Sequence, residues 1–122
     1  MASFEKCLTK VDVEKQVAIP SDFIEHLPDY EGGRTITFPV RDVSGNVWEN
    51  FGYYIRREGN DYPKPVFQKN WRKYVRDKRL SAGDKIIFRI VRNGVDGSPI
   101  YTLAAQKKIE LFGSVVGWTE EF

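Results

Sequence analysis

Residues 66–90 read VFQKNWRKYVRDKRLSAGDKIIFRI, and the period of their apolar positions changes once along the way. From Gln68 to Arg79 the spacing is helical. Trp71, Tyr74, Val75 and the stem of Lys78 fall on one side, while Lys69, Arg72, Lys73 and Arg76 form a basic stripe at i, i+3, i+4 and i+7. Leu80-Ser81-Ala82-Gly83-Asp84 breaks that pattern, and Ile86, Phe88 and Ile90 then alternate as one face of a strand. A short helix feeds a strand through a glycine turn, and no strand-helix-strand alternation surrounds it, which argues against a parallel α/β sheet.

Working outward, Asn93-Gly94 to Asp96-Gly97 supplies a turn and Ile100 to Ala105 returns as a second strand, so a hairpin is expected. Ile109 to Phe112 reads as a last short strand before Gly113, leaving Trp118 and Phe122 in a tail without assigned packing. On the N-terminal side, Arg34 to Val43 alternates around Ile36, Phe38 and Val40, Ser44-Gly45-Asn46 turns, and Val47 to Ile55 forms a strand dense in aromatics. Pro39 has no N–H, so its strand is expected at an edge or bulged. Arg56 to Pro65 (RREGNDYPKP) has no period and two prolines, and reads as a long projecting loop. Phe4 to Thr9 alternates as a first strand, with Val17 to Ile19 continuing it after the polar segment Lys10 to Gln16. Ser21 or Asp22 then caps a short helix, with Glu25 in capping-box spacing from Asp22, and Pro28 ends it. About seven short strands and two short helices give a mainly β fold, a closed or nearly closed barrel that leaves few exposed edges. One domain over residues 4–113 is expected, with 114–122 as a C-terminal tail.

The chain has 122 residues and a mass of 14.1 kDa, the size of one domain, with 41% hydrophobic and 14% aromatic residues for a packed interior. No run reaches the roughly 18 apolar residues of a membrane span, and MASFEKCLTK lacks the apolar stretch of a secretory signal, so an intracellular protein is expected. A lone Cys7 and a lone His26 cannot build an internal disulfide or a Cys/His zinc site, and no cofactor or metal is implied. Neither Gly45 nor Gly83 belongs to a phosphate-cradling motif, and His26 beside Leu27 and Pro28 is a poor base, so no enzyme and no small-molecule substrate are expected.

The net charge of +2 hides two halves of opposite sign. Arg56 to Arg92 carries 12 basic residues against four acidic ones, a net +8, and the remainder is −6. Phosphate contacts need Lys and Arg presented together, and base readout needs side chains on projecting elements. The loop supplies both: Arg56, Arg57 and Lys64 as donors, Asn60 for adenine and Tyr62 for stacking. Lys10, Lys15 and Gln16 form a second polar segment, in which Asp12 and Glu14 repel phosphates unless turned aside. Lys69, Arg72 and Lys73 occupy the start of a helix, where backbone N–H groups also favour anions.

In this order the pieces resemble a known family, the plant-specific B3 DNA-binding domain of auxin-response and abscisic-acid-related transcription factors. The resemblance rests on FEKCLTKVDV (4–13), VAIP (17–20) followed by a short helix to HLP (26–28), RDVSGNVWENFGYY (41–54), residues 66–90, and IELFG (109–113). It implies a seven-stranded open pseudobarrel with two short α-helices, acting in the nucleus on double-stranded DNA through two arms in the major groove. The first arm would be Lys10 to Gln16, the second Arg56 to Lys64, with phosphate contacts around Gln68 to Lys73. Trp48, Trp71, Val75, Leu80 and Phe88 would be core. The second arm carries Pro63 and Pro65 and is preceded by Tyr53-Tyr54-Ile55 where the family usually has tryptophan. The altered arms motivate a second reading: a barrel that binds a protein partner through Tyr53, Tyr54, Tyr62 or Trp118.

Overall fold

Alternation and turn chemistry produce a chain that is mostly strand. A computed structural model describes residues 2–28, 35–56 and 64–122. Their elements are β1 (Ala2–Cys7), α1 (Lys10–Glu14), β2 (Val17–Ala18), a 3-10 helix (Ser21–His26), β3 (Ile36–Asp42), β4 (Val47–Arg56), β5 (Lys64–Lys69), α2 (Trp71–Lys78), β6 (Lys85–Arg92), β7 (Pro99–Gln106), β8 (Lys108–Leu111) and β9 (Ser114–Trp118). Seven strands form one curled sheet in the order β1-β6-β7-β3-β4-β5-β2, and β8 and β9 make a separate hairpin. β3 runs parallel to β7, while the other pairs in the large sheet are antiparallel. Its outer strands are β1 and β2. Across the open seam between them, the Lys6 ammonium donates to the Ala18 carbonyl at 3.3 Å. This is the expected mainly β, seven-stranded open pseudobarrel. Among the described residues no helix is long and apolar enough to cross a membrane.

The interior is filled by rings. Phe88 lies with its centroid 5.0 Å from that of Phe67, 5.7 Å from Phe4, 5.9 Å from Phe23, 6.2 Å from Tyr101 and 6.4 Å from Phe38. Trp71 and Tyr74 of α2 stack at 5.9 Å, and Trp48 meets Tyr74 edge-on at 5.7 Å. Burial of these side chains, the main favourable contribution to folding, therefore joins strands from both ends of the sequence.

Pro39 sits in a central strand, and the ladder there shifts register between Phe38 and Val40, so of the edge or bulge expected for it the chain uses the bulge. Other local expectations change. β5 replaces the end of the expected loop and the first turn of the expected helix. The Pro65 carbonyl accepts the Ile19 N–H at 2.8 Å, and Val66 and Phe67 are both buried, which erases the alternation that would mark a strand. The expected Asp22 and Glu25 capping box does not form: the 3-10 helix begins after Pro20 and has no side-chain cap. Residues 114–118, read as tail, are β9, and the Phe122 backbone exchanges hydrogen bonds with Ala105 at 2.9 and 3.1 Å. Cys7 is exposed on the outer strand β1.

α2 ends through geometry that its residues pay for with strain at one position: Arg79 adopts a left-handed φ of 54°, letting the Leu80 N–H reach the Val75 carbonyl at 3.0 Å. The turn that follows is held by the fully buried Asp84. Its carboxylate accepts from the Ser81 N–H (2.8 Å), the Lys107 ammonium (2.8 Å) and the Lys108 N–H (3.1 Å). Burial pushes this carboxyl up, but the Lys107 contact and the two N–H groups outweigh it and hold it below the usual carboxylate range. A depressed carboxyl stabilises the fold above the ordinary carboxylate range, and that stabilisation is lost as pH falls through the folded value. Asp84→Asn is therefore expected to flatten the acid limb of stability against pH, measured by denaturant unfolding between neutral and strongly acidic buffer. An unchanged acid limb would show that other carboxylates govern it.

Candidate nucleic-acid interface

The first polar segment is more ordered than its composition suggests. Thr9 caps α1 reciprocally: the Asp12 N–H donates to Thr9 Oγ1 (3.2 Å) and the Thr9 N–H donates to Asp12 Oδ2 (2.8 Å). Asp12 thus turns inward, 3% exposed, and its other oxygen pairs with Lys6 at 3.1 Å. The Trp71 indole N–H donates to the Asp12 carbonyl at 2.7 Å, fixing α1 against α2. Lys10 and Lys15 remain exposed; Lys10 has Glu14 at 4.0 Å, a solvated pair that contributes little. Gln16 is half-buried and lines a cleft of about 210 Å³ with Val11, Ala18, Ile19, Pro65 and Val66. That cleft connects the first arm to the root of the second.

At that root the backbones of Arg56 and Lys64 face each other as the last pair of the β4–β5 ladder. Arg57, Asn60 and Tyr62 lie outside the described residues. Lys69 is exposed at the end of β5, opposite Gly52, where a Cβ would come within 2.7 Å of the Thr35 methyl. Arg72 and Lys73 are exposed in the first turn of α2, which has no side-chain cap. Arg72 also lines a groove with Val13 and Glu14 of the first arm and with Arg76 and Arg79 further along α2. The Trp71–Asp12 contact joins α2 to α1, with Lys10 and Lys15 exposed on or beside α1 and Arg72 and Lys73 exposed on α2, while Lys69 is exposed at the end of β5. Arg76 and Arg79 line the same groove as Arg72; Arg76 belongs to the basic stripe read from the sequence, and Arg79 does not.

The proposed aromatic anchors for a protein partner fare differently. Tyr53 is fully buried and its hydroxyl donates to the Pro28 carbonyl, so it offers no surface. Trp118 is half-buried beneath the Lys85 ammonium, 4.2 Å from its ring centroid, and Tyr54 is half-buried. Tyr62 lies outside the described residues. Exposed apolar surface instead gathers on the β8–β9 hairpin, at Ile109, Leu111, Val115, Val116 and Phe112, the last 97% exposed.

A polar first arm packed against a basic helix on an open seven-stranded pseudobarrel fits the arrangement that the resemblance implies, and comparison with known proteins agrees. Residues 4–106 match the family model described as the B3 DNA binding domain. The chain belongs to the B3 family. Among relatives, the B3 domain-containing transcription factor NGA4 of Arabidopsis thaliana is 33% identical over 90 residues, covering 70% of this chain and 25% of the relative. The protein chain of the Arabidopsis FUS3–DNA complex superposes with a TM-score of 0.69 at 25% identity, covering 88% of this chain and 97% of that one. The Arabidopsis thaliana LEC2–DNA complex gives a TM-score of 0.63 at 22% identity, over 80% and 86% of the two chains, a likeness of fold. This B3 chain spans between about a quarter and a half of the length of the curated relatives it matches. The family match ends before β8, so the apolar hairpin lies beyond it.

Proposed function

We propose that this B3 domain binds double-stranded DNA sequence-specifically through its two arms, as a non-enzymatic module of a transcription regulator acting in the nucleus. The observation that carries the reading is the exposure of Lys10, Lys15, Arg72 and Lys73 on or beside two helices joined by the Trp71–Asp12 contact, in a family defined by DNA binding. α2 supplies phosphate contacts that set position, and the arms supply base contacts that specify. Arg56, Arg57, Asn60, Tyr62 and Lys64 of the second arm and Gln16 of the first are the residues assigned to reading.

Selection from a random duplex library at near-physiological salt, followed by sequencing of the bound fraction, tests this without assuming a motif. Enrichment of one short motif is expected. On that duplex, Arg57→Ala or Lys64→Ala is expected to lower affinity by about 1–3 kcal/mol, whereas Lys73→Ala weakens all sequences alike and reduces the salt slope by about one ion. Three variants indistinguishable from wild type would remove the site assignment. The exposed β8–β9 hairpin favours a second reading, a protein-binding barrel, which a folded protein with negligible duplex affinity even at low salt would support.

A further inference from the structure

We propose that Asp12 is a positioning residue for DNA recognition: its buried carboxylate holds the first arm in the geometry that reads bases. The proposal rests on the DNA-binding reading above. A carboxylate in an arm that approaches phosphates is, by charge alone, unfavourable for binding. Here the carboxylate does not reach the surface. One oxygen takes the Thr9 N–H and the other takes Lys6 at 3.1 Å. The same ammonium spans the seam to the Ala18 carbonyl on β2 at 3.3 Å, and the backbone carbonyl of Asp12 is held by Trp71 at 2.7 Å. Asp12 thus joins β1, α1 and α2 directly, and β2 through Lys6, at the place where the ladder of the sheet is interrupted.

α1 has only five residues, too short to persist in water on its own hydrogen bonds. Its order is supplied by this knot, and with it the directions in which Lys10, Lys15 and Gln16 leave the barrel. An arm ordered before binding loses less conformational entropy on the duplex, and that saving applies to the specific complex, whose contacts demand one geometry. Nonspecific attraction to phosphates tolerates many geometries and depends little on the knot.

The experiment compares wild type, Asp12→Ala, Lys6→Met and the double variant on the duplex recovered by library selection and on a scrambled duplex of equal length. Asp12→Ala is expected to weaken the selected duplex about tenfold or more while changing the scrambled duplex by less than about threefold, so that the ratio of the two affinities falls. Lys6→Met keeps the aliphatic stem and is expected to reduce that ratio in the same direction, and the double variant to be no worse than Asp12→Ala alone, as for one shared network. A thermal melt of each variant confirms that it is folded at the binding temperature. If Asp12→Ala binds the selected duplex as well as wild type, or better, charge alone governs and the proposal is wrong. A parallel loss on both duplexes reports general destabilisation and also overturns it. Failure of wild type to select any motif overturns the DNA-binding reading itself, and is seen before any variant is made.

Discussion

Phe88→Ala lowers the free energy of unfolding by about 3–5 kcal/mol, enough to consume a large part of the roughly 5–15 kcal/mol by which a domain of this size is stable. Phe88 is fully buried on β6, and five other rings, from β1, the 3-10 helix, β3, β5 and β7, lie around it. Truncation removes the transfer free energy of the ring and leaves a cavity whose walls belong to several different elements, so no single segment can shift to fill it. Phe88→Leu retains most of the apolar volume and is expected to lose clearly less. Urea unfolding, with the slope checked for constancy, measures both. A loss under about 1 kcal/mol for the alanine variant would mean that the ring cluster is not the centre of the core.

The second large effect comes from a charge. Lys78 of α2 is 7% exposed and its ammonium sits 3.5 Å from Asp42 Oδ2 at the end of β3, and it also donates to Ser44 Oγ at 3.1 Å. Asp42 additionally accepts from the Asn46 N–H (3.0 Å) and from the Trp48 indole (3.1 Å), so one carboxylate joins the β3–β4 turn, the aromatic strand and α2. Lys78→Ala leaves that carboxylate buried without its cation, a loss of about 3–5 kcal/mol. Asp42→Asn in the Lys78→Met background removes the stranded charge and is expected to recover part of it, a coupling that a double-mutant cycle resolves. Full additivity of the two substitutions would show that the ion pair does not act as a unit.

What could be read beforehand divides along physical lines. The β6–β7 hairpin was legible because Ile86, Phe88 and Ile90 alternate and glycine turns precede and follow that strand. α2 was legible from Trp71, Tyr74 and Val75, and the buried stem of Lys78 was anticipated from the same period. α1 was not. Five residues are too few to show a period, and its one signal, Thr9 with Asp12 three residues on, is a capping box closed by aspartate. The same logic applied to Asp22 and Glu25 gave a cap that the chain does not make, because Pro20 already directs the backbone into the turn. β5 was hidden by Pro65 and by adjacent buried Val66 and Phe67, and β9 by Gly117 within it. Of the site, the cations of α2 and the polarity of the first arm were visible in the sequence. That Asp12 faces inward was not, because its partners Lys6 and Trp71 lie six and 59 residues away.

The pairing of β1 with β6 also sets an order of events in folding. Ala2 faces Ile90 and Cys7 faces Lys85, and among the described residues β1 pairs with no other strand of the sheet. At about 5–20 residues per second, β1 leaves the ribosome several seconds before its partner exists. Its ladder is closed by contacts among the most distant along the chain, the kind that slow folding. The charged residues Glu5 and Lys6 within β1 guard that waiting strand against pairing with a neighbouring chain. The seam that anchors the first arm is therefore completed only once residues 85–92 have been made.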